Sequence, residues 1–469
     1  MRNLTFRSVA PYLLLIIVCI ICFYIKPEQY FSFPPNSKLQ YSGADIAWVI
    51  VATALVFLMT PGLAFFYGGM VNRKNVISTM IKSVVAAGVV GVLWIVVGYS
   101  LCFGESIHGI IGDPRSHLFF KGVNSGEPWV LAPTIPRTLF SMFQLMFAII
   151  TPGLVVGAVA ERIRFSAYLL FIVLFSLLVY APLAHWSWHP DGFLAKMGAL
   201  DFAGGTVVHI SAGCAALAGA LVLKRRKSHL ENREIPPANV PYVLLGTGLL
   251  WFGWFGFNAG SAFGANPLAV SAFATTNTAA AAAGLAWMFF DVVQGKKPSV
   301  IGFCVGAVVG LVGITPGAGY VAIPQSIIIG VFAALVSNIA VHYFNKKSNL
   351  DDVLDVFPCH GIGGMVGMVL TGVFATKTVN AAGNDGLLYG NPSFFFTQIK
   401  ALAIVVPFSF IMSYLIFKLI NFILPFRVTS DEEDAGLDES QHGENYVQGT
   451  LLVKNSQGLE ERPNEGLPR

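Results

Sequence analysis

The sequence predicts an all-α polytopic membrane protein: an eleven-span bundle built as a 5+5 inverted repeat plus a long last helix, with an additional N-terminal apolar segment. Three observations lead there. Of 469 residues, 55% are hydrophobic and only 12% charged, where a soluble domain carries about 25% charged residues; the mean hydropathy is +0.67. Apolar runs of the length needed to cross a bilayer, about 20 residues, recur almost end to end. Two isolated histidines, His209 and His360, fall in the fifth and tenth of these runs, at matching places in the two halves.

The elements follow in order. An apolar run at 9–25 comes after Arg2 and Arg7 and reads as a signal peptide or an N-terminal membrane anchor within residues 1–40. "FYIKPEQYF" puts large side chains where a cleavage site wants small ones, which favours an uncleaved anchor. Residues 41–425 then hold eleven spans, near 44–69, 76–103, 138–160, 166–188, 203–223, 240–262, 268–290, 299–316, 321–343, 357–376 and 396–424. Alternate connections carry Arg73–Lys74, Arg162 with Arg164, Lys224–Lys227 with Arg233, Lys296–Lys297 and Lys346–Lys347, 13 basic residues in all. The other connections hold five: Arg115, Lys121, Arg137, Lys196 and Lys377. The positive-inside rule makes the first set cytoplasmic, so the eleven spans start outside and end inside. Residues 426–469 form an acidic, polar cytoplasmic tail, expected to be partly disordered.

Glycines at 302, 306 and 310, at 313 and 317, and at 363 and 367 are spaced by four, which lets helix backbones approach closely in lipid. "TPG" recurs at 60–62, 151–153 and 315–317. Five spans in each half, an odd number, make the halves inverted, with a pathway on the pseudo-symmetry axis.

The chemistry-bearing residues are few. The six cysteines lie in or beside apolar runs without a CxxC…CxxC pattern, so they read as small hydrophobes rather than as a metal or disulfide framework. No HExxH or clustered histidine motif occurs, which argues against a metal site and against an enzyme. An intramembrane ionisable residue is a functional candidate, with a hydrogen bond that only joins helices as its structural alternative. Two neutral imidazoles can bond to one another, one nitrogen donating and the other accepting, and so furnish an apolar pore with an uncharged polar ribbon. Asp201 suits an N-cap of the fifth span, and Asp355 reads the same way before the tenth. Glu161 suggests a structural ion pair beside Arg162 and Arg164. Phe143 with Phe147, and Phe257 with Ser261, stand at i, i+4 and share helix faces. Trp186 and Trp188 end the fourth span. Gathered at the outer side, such rings attract a small cation by about 0.5–2 kcal/mol, and a serine hydroxyl can accept its N–H.

"TPGLAFFYGGMVNRKNV", "ITPGLVVGAVAERIRFSA", "GALDFAGGTVVHISAG", "WFGWFGFNAGSA", "GLVGITPGAGYV" and "DVFPCHGIGGMVG" resemble the ammonium transporter family (Amt/Mep/Rh), on its bacterial Amt side, over roughly residues 44–446. The resemblance implies a homotrimer with one pore per subunit, an outer ammonium site at Phe143, Trp188 and Ser261, a phenyl gate of Phe147 and Phe257, twin pore histidines His209 and His360, and a largely structural Asp201. It also implies a PII-type signalling protein docking at the cytoplasmic face. The chain departs from the family pattern in "WSWHPDGFLAKMGALD", one residue longer than usual before Asp201, and in "HGENY", where an alanine often precedes the tyrosine. The expected function is ammonium transport across the cell membrane, with NH4+ deprotonated at the mouth and NH3 conducted past the histidines, no cofactor, no metal and no nucleic-acid partner. A passive NH3/CO2 gas channel and an ammonium sensor are the alternatives.

Overall fold

The computed structural model describes residues 6–35, 37–233, 235–347, 350–446, 450–455 and 458–463. An isolated apolar helix, α1 (Phe6–Phe23), precedes the bundle. The spans are α2 (Gly43–Met70), α3 (Arg73–Phe103), α4 (Arg137–Val159), α5 (Phe165–Lys196), α6 (Gly205–Leu223), α7 (Val240–Gly260), α8 (Pro267–Val293), α9 (Val300–Ile314), α10 (Ile323–Lys347), α11 (Phe357–Phe374) and α12 (Pro392–Ile423). Ten of these crossings are long and apolar enough to span a bilayer by themselves. The eighth, expected over 299–316, is helical for only 15 residues, about 22 Å. Thr315-Pro316-Gly317 stops it, because proline offers no N–H and biases its predecessor out of the helix; turns through 315–320 follow.

Packing follows the small residues. A Cβ on Gly246 of α7 would lie 2.3 Å from the Phe66 nitrogen of α2, so these two helices touch backbone to backbone. On α9, Gly306 and Gly310 face Ala283 and Ala279 of α8 in the same way. With five spans in each half, α7 enters from the face where α6 leaves, and the halves are inverted. The long α12 packs along α6 and α11 as a brace outside the repeat.

Both α6 and α11 begin as π-helical turns, Gly205–Ile210 and Phe357–Ile362. π-turns are rare and concentrate at functional sites. Here each one presents a histidine, His209 or His360, from its final residues.

One face of the bundle carries the basic connections, and the tail is built onto it. Helix α13 (Ser430–Ala435) starts with a capping box between Thr429 and Glu432. Glu432 pairs with Arg164 at 2.7 Å, and Asp434 with Lys227 at 2.7 Å. Asp438 accepts from the Ile77 and Ser78 N–H groups at 3.1 and 2.7 Å, capping the helix that follows Asn75. Beyond it, Thr450–Asn455 pairs antiparallel with Gly458–Pro463, a hairpin not expected from the sequence. The disorder expected of the tail falls in part on 447–449, 456–457 and 464–469, outside the described residues. On the opposite face the segment after α1 returns to the bundle: Glu28 accepts from the Gly122 N–H at 2.8 Å, and the Phe31 N–H donates to the Asn124 carbonyl at 2.8 Å.

Glu161 forms an ion pair, but with a partner far along the chain. Arg226 reaches Glu161 at 2.6 Å and Asp351 at 2.8 Å. Its neighbours in sequence go elsewhere: Arg162 donates to the Asp351 carbonyl at 2.5 Å and Arg164 takes Glu432. Glu161 sits at positive φ just after α4, and that bend turns its carboxylate towards the loop after α6.

Candidate functional site

The sequence-predicted aromatic and histidine residues form one column of rings. Phe143 and Phe147 lie on one face of α4, with centroids 5.0 Å apart. Phe147 meets Trp188 of α5 at 5.8 Å and Phe257 of α7 at 4.3 Å. Phe257 in turn stacks on His209 at 5.9 Å. His209 then stacks on His360 at 5.4 Å, with 28° between the ring planes. Phe143, Phe147 and Phe257 are all essentially inaccessible to solvent.

Ser261 closes α7 one turn beyond Phe257, and its hydroxyl donates to the Phe257 carbonyl at 2.9 Å. That bond occupies the proton and leaves the oxygen lone pairs available to accept. The Trp188 indole N–H donates to the Asp201 carbonyl at 3.1 Å, which fixes the ring over the mouth. The Asp201 carboxylate accepts from the N–H groups of Gly204, Gly205 and Thr206 at 2.9, 2.6 and 2.8 Å, and from the Thr206 hydroxyl. It caps the π-turn that carries His209, while the Asp201 carbonyl anchors the Trp188 ring.

The two imidazoles face each other through Nδ1 atoms 3.4 Å apart. Two neutral rings satisfy this pair if one Nδ1 carries the proton and the other accepts. Among the described residues His209 Nε2, which is buried, has no hydrogen-bond partner. It belongs to a narrow cavity that His360 also lines and whose other walls are aliphatic and aromatic side chains, among them Leu63, Ile150, Leu250 and Val308. The cavity leaves about 10 Å³ for the centres of water-sized molecules, room for roughly one at a time. An unpaired buried nitrogen costs about 1–3 kcal/mol, which a small hydrogen-bonding solute in this cavity would relieve.

The sequence suggests the second cap at Asp355; the structure gives that role to Asp352. Its carboxylate accepts from the Val356 and Phe357 N–H groups at 3.0 and 2.7 Å, while Asp355 lies in the bend before α11 at positive φ. Asp352 stands eight residues before His360, as Asp201 stands eight before His209. That shared spacing is a signal the sequence carries. Burial pushes the Asp352 carboxyl up to about 6, against the N–H groups of Phe357 and Val356 and the Arg162 guanidinium, which hold it down.

A further residue, Trp254, stacks on His209 at 5.2 Å and 21°. Its N–H donates to the Thr315 hydroxyl at 2.9 Å, and Thr315 donates in turn to the Leu311 carbonyl at 2.7 Å. Trp254 precedes Phe257 by three positions, so it shares that helix face; the sequence marks it through this spacing. Among the described residues, no group of three or more metal-ligating side chains occurs.

The profile of the Ammonium Transporter Family covers residues 47–447. The chain belongs to the Ammonium Transporter Family. An ammonium transporter of Bacillus subtilis is 46% identical over 407 residues, 87% of this chain and 99% of that protein. One of Aquifex aeolicus is 47% identical over 417 residues, 88% and 95% of the two chains. The crystal structure of Candida albicans Mep2 superposes with a TM-score of 0.78 at 36% identity, covering 84% of this chain and 88% of that one. The family assignment and the multi-pass architecture agree.

Proposed function

We propose that the chain is an ammonium transporter that separates the cation from its proton at the aromatic mouth and conducts neutral ammonia past His209 and His360. Ammonium transport itself follows from the family and from the relatives named as ammonium transporters. The observation that carries the finer reading is the unpartnered His209 Nε2 in a cavity about one water wide.

The energetics choose the route. Ammonium resembles the lysine amine, with a pKa near 10.4, so it arrives as a cation. Moving an unpaired cation into an apolar lining costs up to tens of kcal/mol. Giving up its proton at pH 7 costs about 5 kcal/mol, at 1.36 kcal/mol per pH unit. Separation is the cheaper course. Phe143, Trp188 and Ser261 gather the cation: ring faces attract it and the serine oxygen accepts an N–H. The Phe147–Phe257 contact then parts for a molecule without charge. The histidine pair offers one donor and one acceptor to the ammonia, and the proton follows along the imidazoles, which makes net flux electrogenic. Potassium has no neutral form and is refused at the dry gate.

The basic face is cytoplasmic in this reading, and the tail bonded to it belongs to the same side, in the cell membrane. The unit is a homotrimer, and residues 426–469 form a regulatory tail where a PII-type protein docks. Helix α1, apolar on all sides (Tyr12 73% and Leu14 64% exposed), is a retained membrane anchor. Growth of transporter-less cells on limiting ammonium tests the central claim: the wild-type chain restores growth and His360→Ala does not. Equal growth with either chain would refute the role given to the histidine pair.

A further inference from the structure

The outer face holds a second cavity, open to solvent and about 720 Å³ in volume. It lies between the loop after α3, the start of α4 and the end of α5, and the transport reading makes no use of it. Arg137, Trp129, His117, His189, Lys196 and Glu105 contribute to its wall.

The wall is rich in unused donors. The Arg137 guanidinium has no carboxylate partner among the described residues. It contacts His117 Nε2 at 3.5 Å and lies 6.0 Å from the centre of the Trp129 ring. Among the described residues neither its Nε nor Nε1 of Trp129, a residue 6% exposed, has a hydrogen-bond partner, and both atoms are closed off from solvent. His189 Nδ1 accepts from the Asp191 N–H at 3.0 Å, so the neutral ring carries its proton on Nε2 and is a further donor. His117 Nδ1 donates to the Lys121 carbonyl at 3.0 Å, which leaves its Nε2 as the acceptor that meets Arg137. At the rim Lys196 is paired with Asp191 at 2.8 Å, and both are exposed, as is Glu105, so water screens them.

We propose that this cavity is a binding site for an oxyanion, a carboxylate or phosphate group, held by the Arg137 guanidinium against the face of Trp129, with the His189 Nε2–H beside it. A guanidinium presents a planar fork that suits two oxygens of such a group. The volume lies in the range of small-molecule sites, so the group arrives on a small organic anion, as free phosphate or as a phospholipid headgroup. Trp129 stacks on Phe140 at 5.3 Å and 16°, and Phe140 packs on Phe263, which contacts Phe143. An occupant therefore braces the wall of the aromatic mouth. The binding claim stands independently of the transport reading.

The test uses the full-length purified protein with Arg137→Gln and Trp129→Phe. Thermal unfolding is followed against sodium phosphate and sodium acetate at constant ionic strength, in detergent stripped of lipid. Native mass spectrometry after reconstitution with and without phosphatidylglycerol forms the second arm. A saturable rise in midpoint with phosphate or acetate, lost in Arg137→Gln and weakened in Trp129→Phe, supports a free-anion source. A phospholipid retained by the wild type and lost from Arg137→Gln supports the headgroup. Trp129→Phe keeps the stacked ring, so it reports even if Arg137→Gln fails to fold. Shifts equal in wild type and variants, with no lipid difference, overturn the proposal.

Discussion

Gly213→Ala tests how closely the two half-repeats must approach for the pore to work. Gly213 lies on α6, one turn past His209, and faces the π-helical start of α11. A Cβ placed on it would lie 2.2 Å from the Gly361 nitrogen and 2.3 Å from the Gly361 Cα. Both obstructing atoms are backbone and neither can rotate away. Ordinary contact begins near 3.4 Å, so α6 and α11 must part by about 1.2 Å, and close-packed interiors transmit such a shift rather than absorb it. The histidine Nδ1 atoms, already 3.4 Å apart, would then pass beyond hydrogen-bonding distance. Overpacking of this kind costs about 1–3 kcal/mol, enough to lower the unfolding temperature without preventing insertion. Gly363→Ala is the control, because its Cβ would meet Ser337 Oγ and Val312 Cγ1 at 3.4 Å, an ordinary contact. In proteoliposomes pulsed with ammonium, Gly213→Ala should lose at least tenfold in initial flux and Gly363→Ala should stay near wild type. Wild-type flux from Gly213→Ala would show that the histidine contact is dispensable.

Other outcomes follow from the same geometry. Phe257→Ala removes one ring of the closed pair; it should destabilise by about 3–5 kcal/mol and admit potassium, and a variant that remains potassium-tight in ion-flux assays would dismiss the phenyl gate. Arg226→Ala leaves Glu161 and Asp351 buried without their partner, a loss of about 3–5 kcal/mol read as a lower thermal midpoint; an unchanged midpoint would mean the ion triad contributes nothing. The Asp352 carboxyl is raised to about 6 by burial, so the native state binds its proton more tightly than the unfolded chain, whose aspartates titrate near 3.9. Its contribution to stability therefore grows as pH falls from about 6 to about 4. The midpoint of wild type relative to Asp352→Asn should rise across that window, and a constant difference would contradict the assignment.

Much of this architecture is written in local sequence because lipid imposes it. A span must satisfy its own backbone, so each crossing shows as an apolar run, and helix-face spacing was enough to pair Phe143 with Phe147 and Phe257 with Ser261. The intramembrane histidines stood out because nothing polar surrounds them. What the sequence hid depends on backbone conformation or distant partners. The π-turns under His209 and His360 have no composition of their own. The positive φ of Asp355 and Glu161 redirected one cap to Asp352 and one ion pair to Arg226, 65 residues away. Pro316 shortened the eighth helix in a run whose hydropathy continues past it. The Asp–His interval of eight residues, common to both halves, was legible but is only meaningful once the first cap is seen in three dimensions.

Solid-supported-membrane electrophysiology on the purified protein addresses the central claim most directly, with ammonium and potassium pulses applied to the wild type and to His209→Ala. The account predicts a current for ammonium and none for potassium in the wild type, and either loss of the ammonium current or a new potassium current in His209→Ala. An ammonium-only current of the same size from both proteins would contradict it.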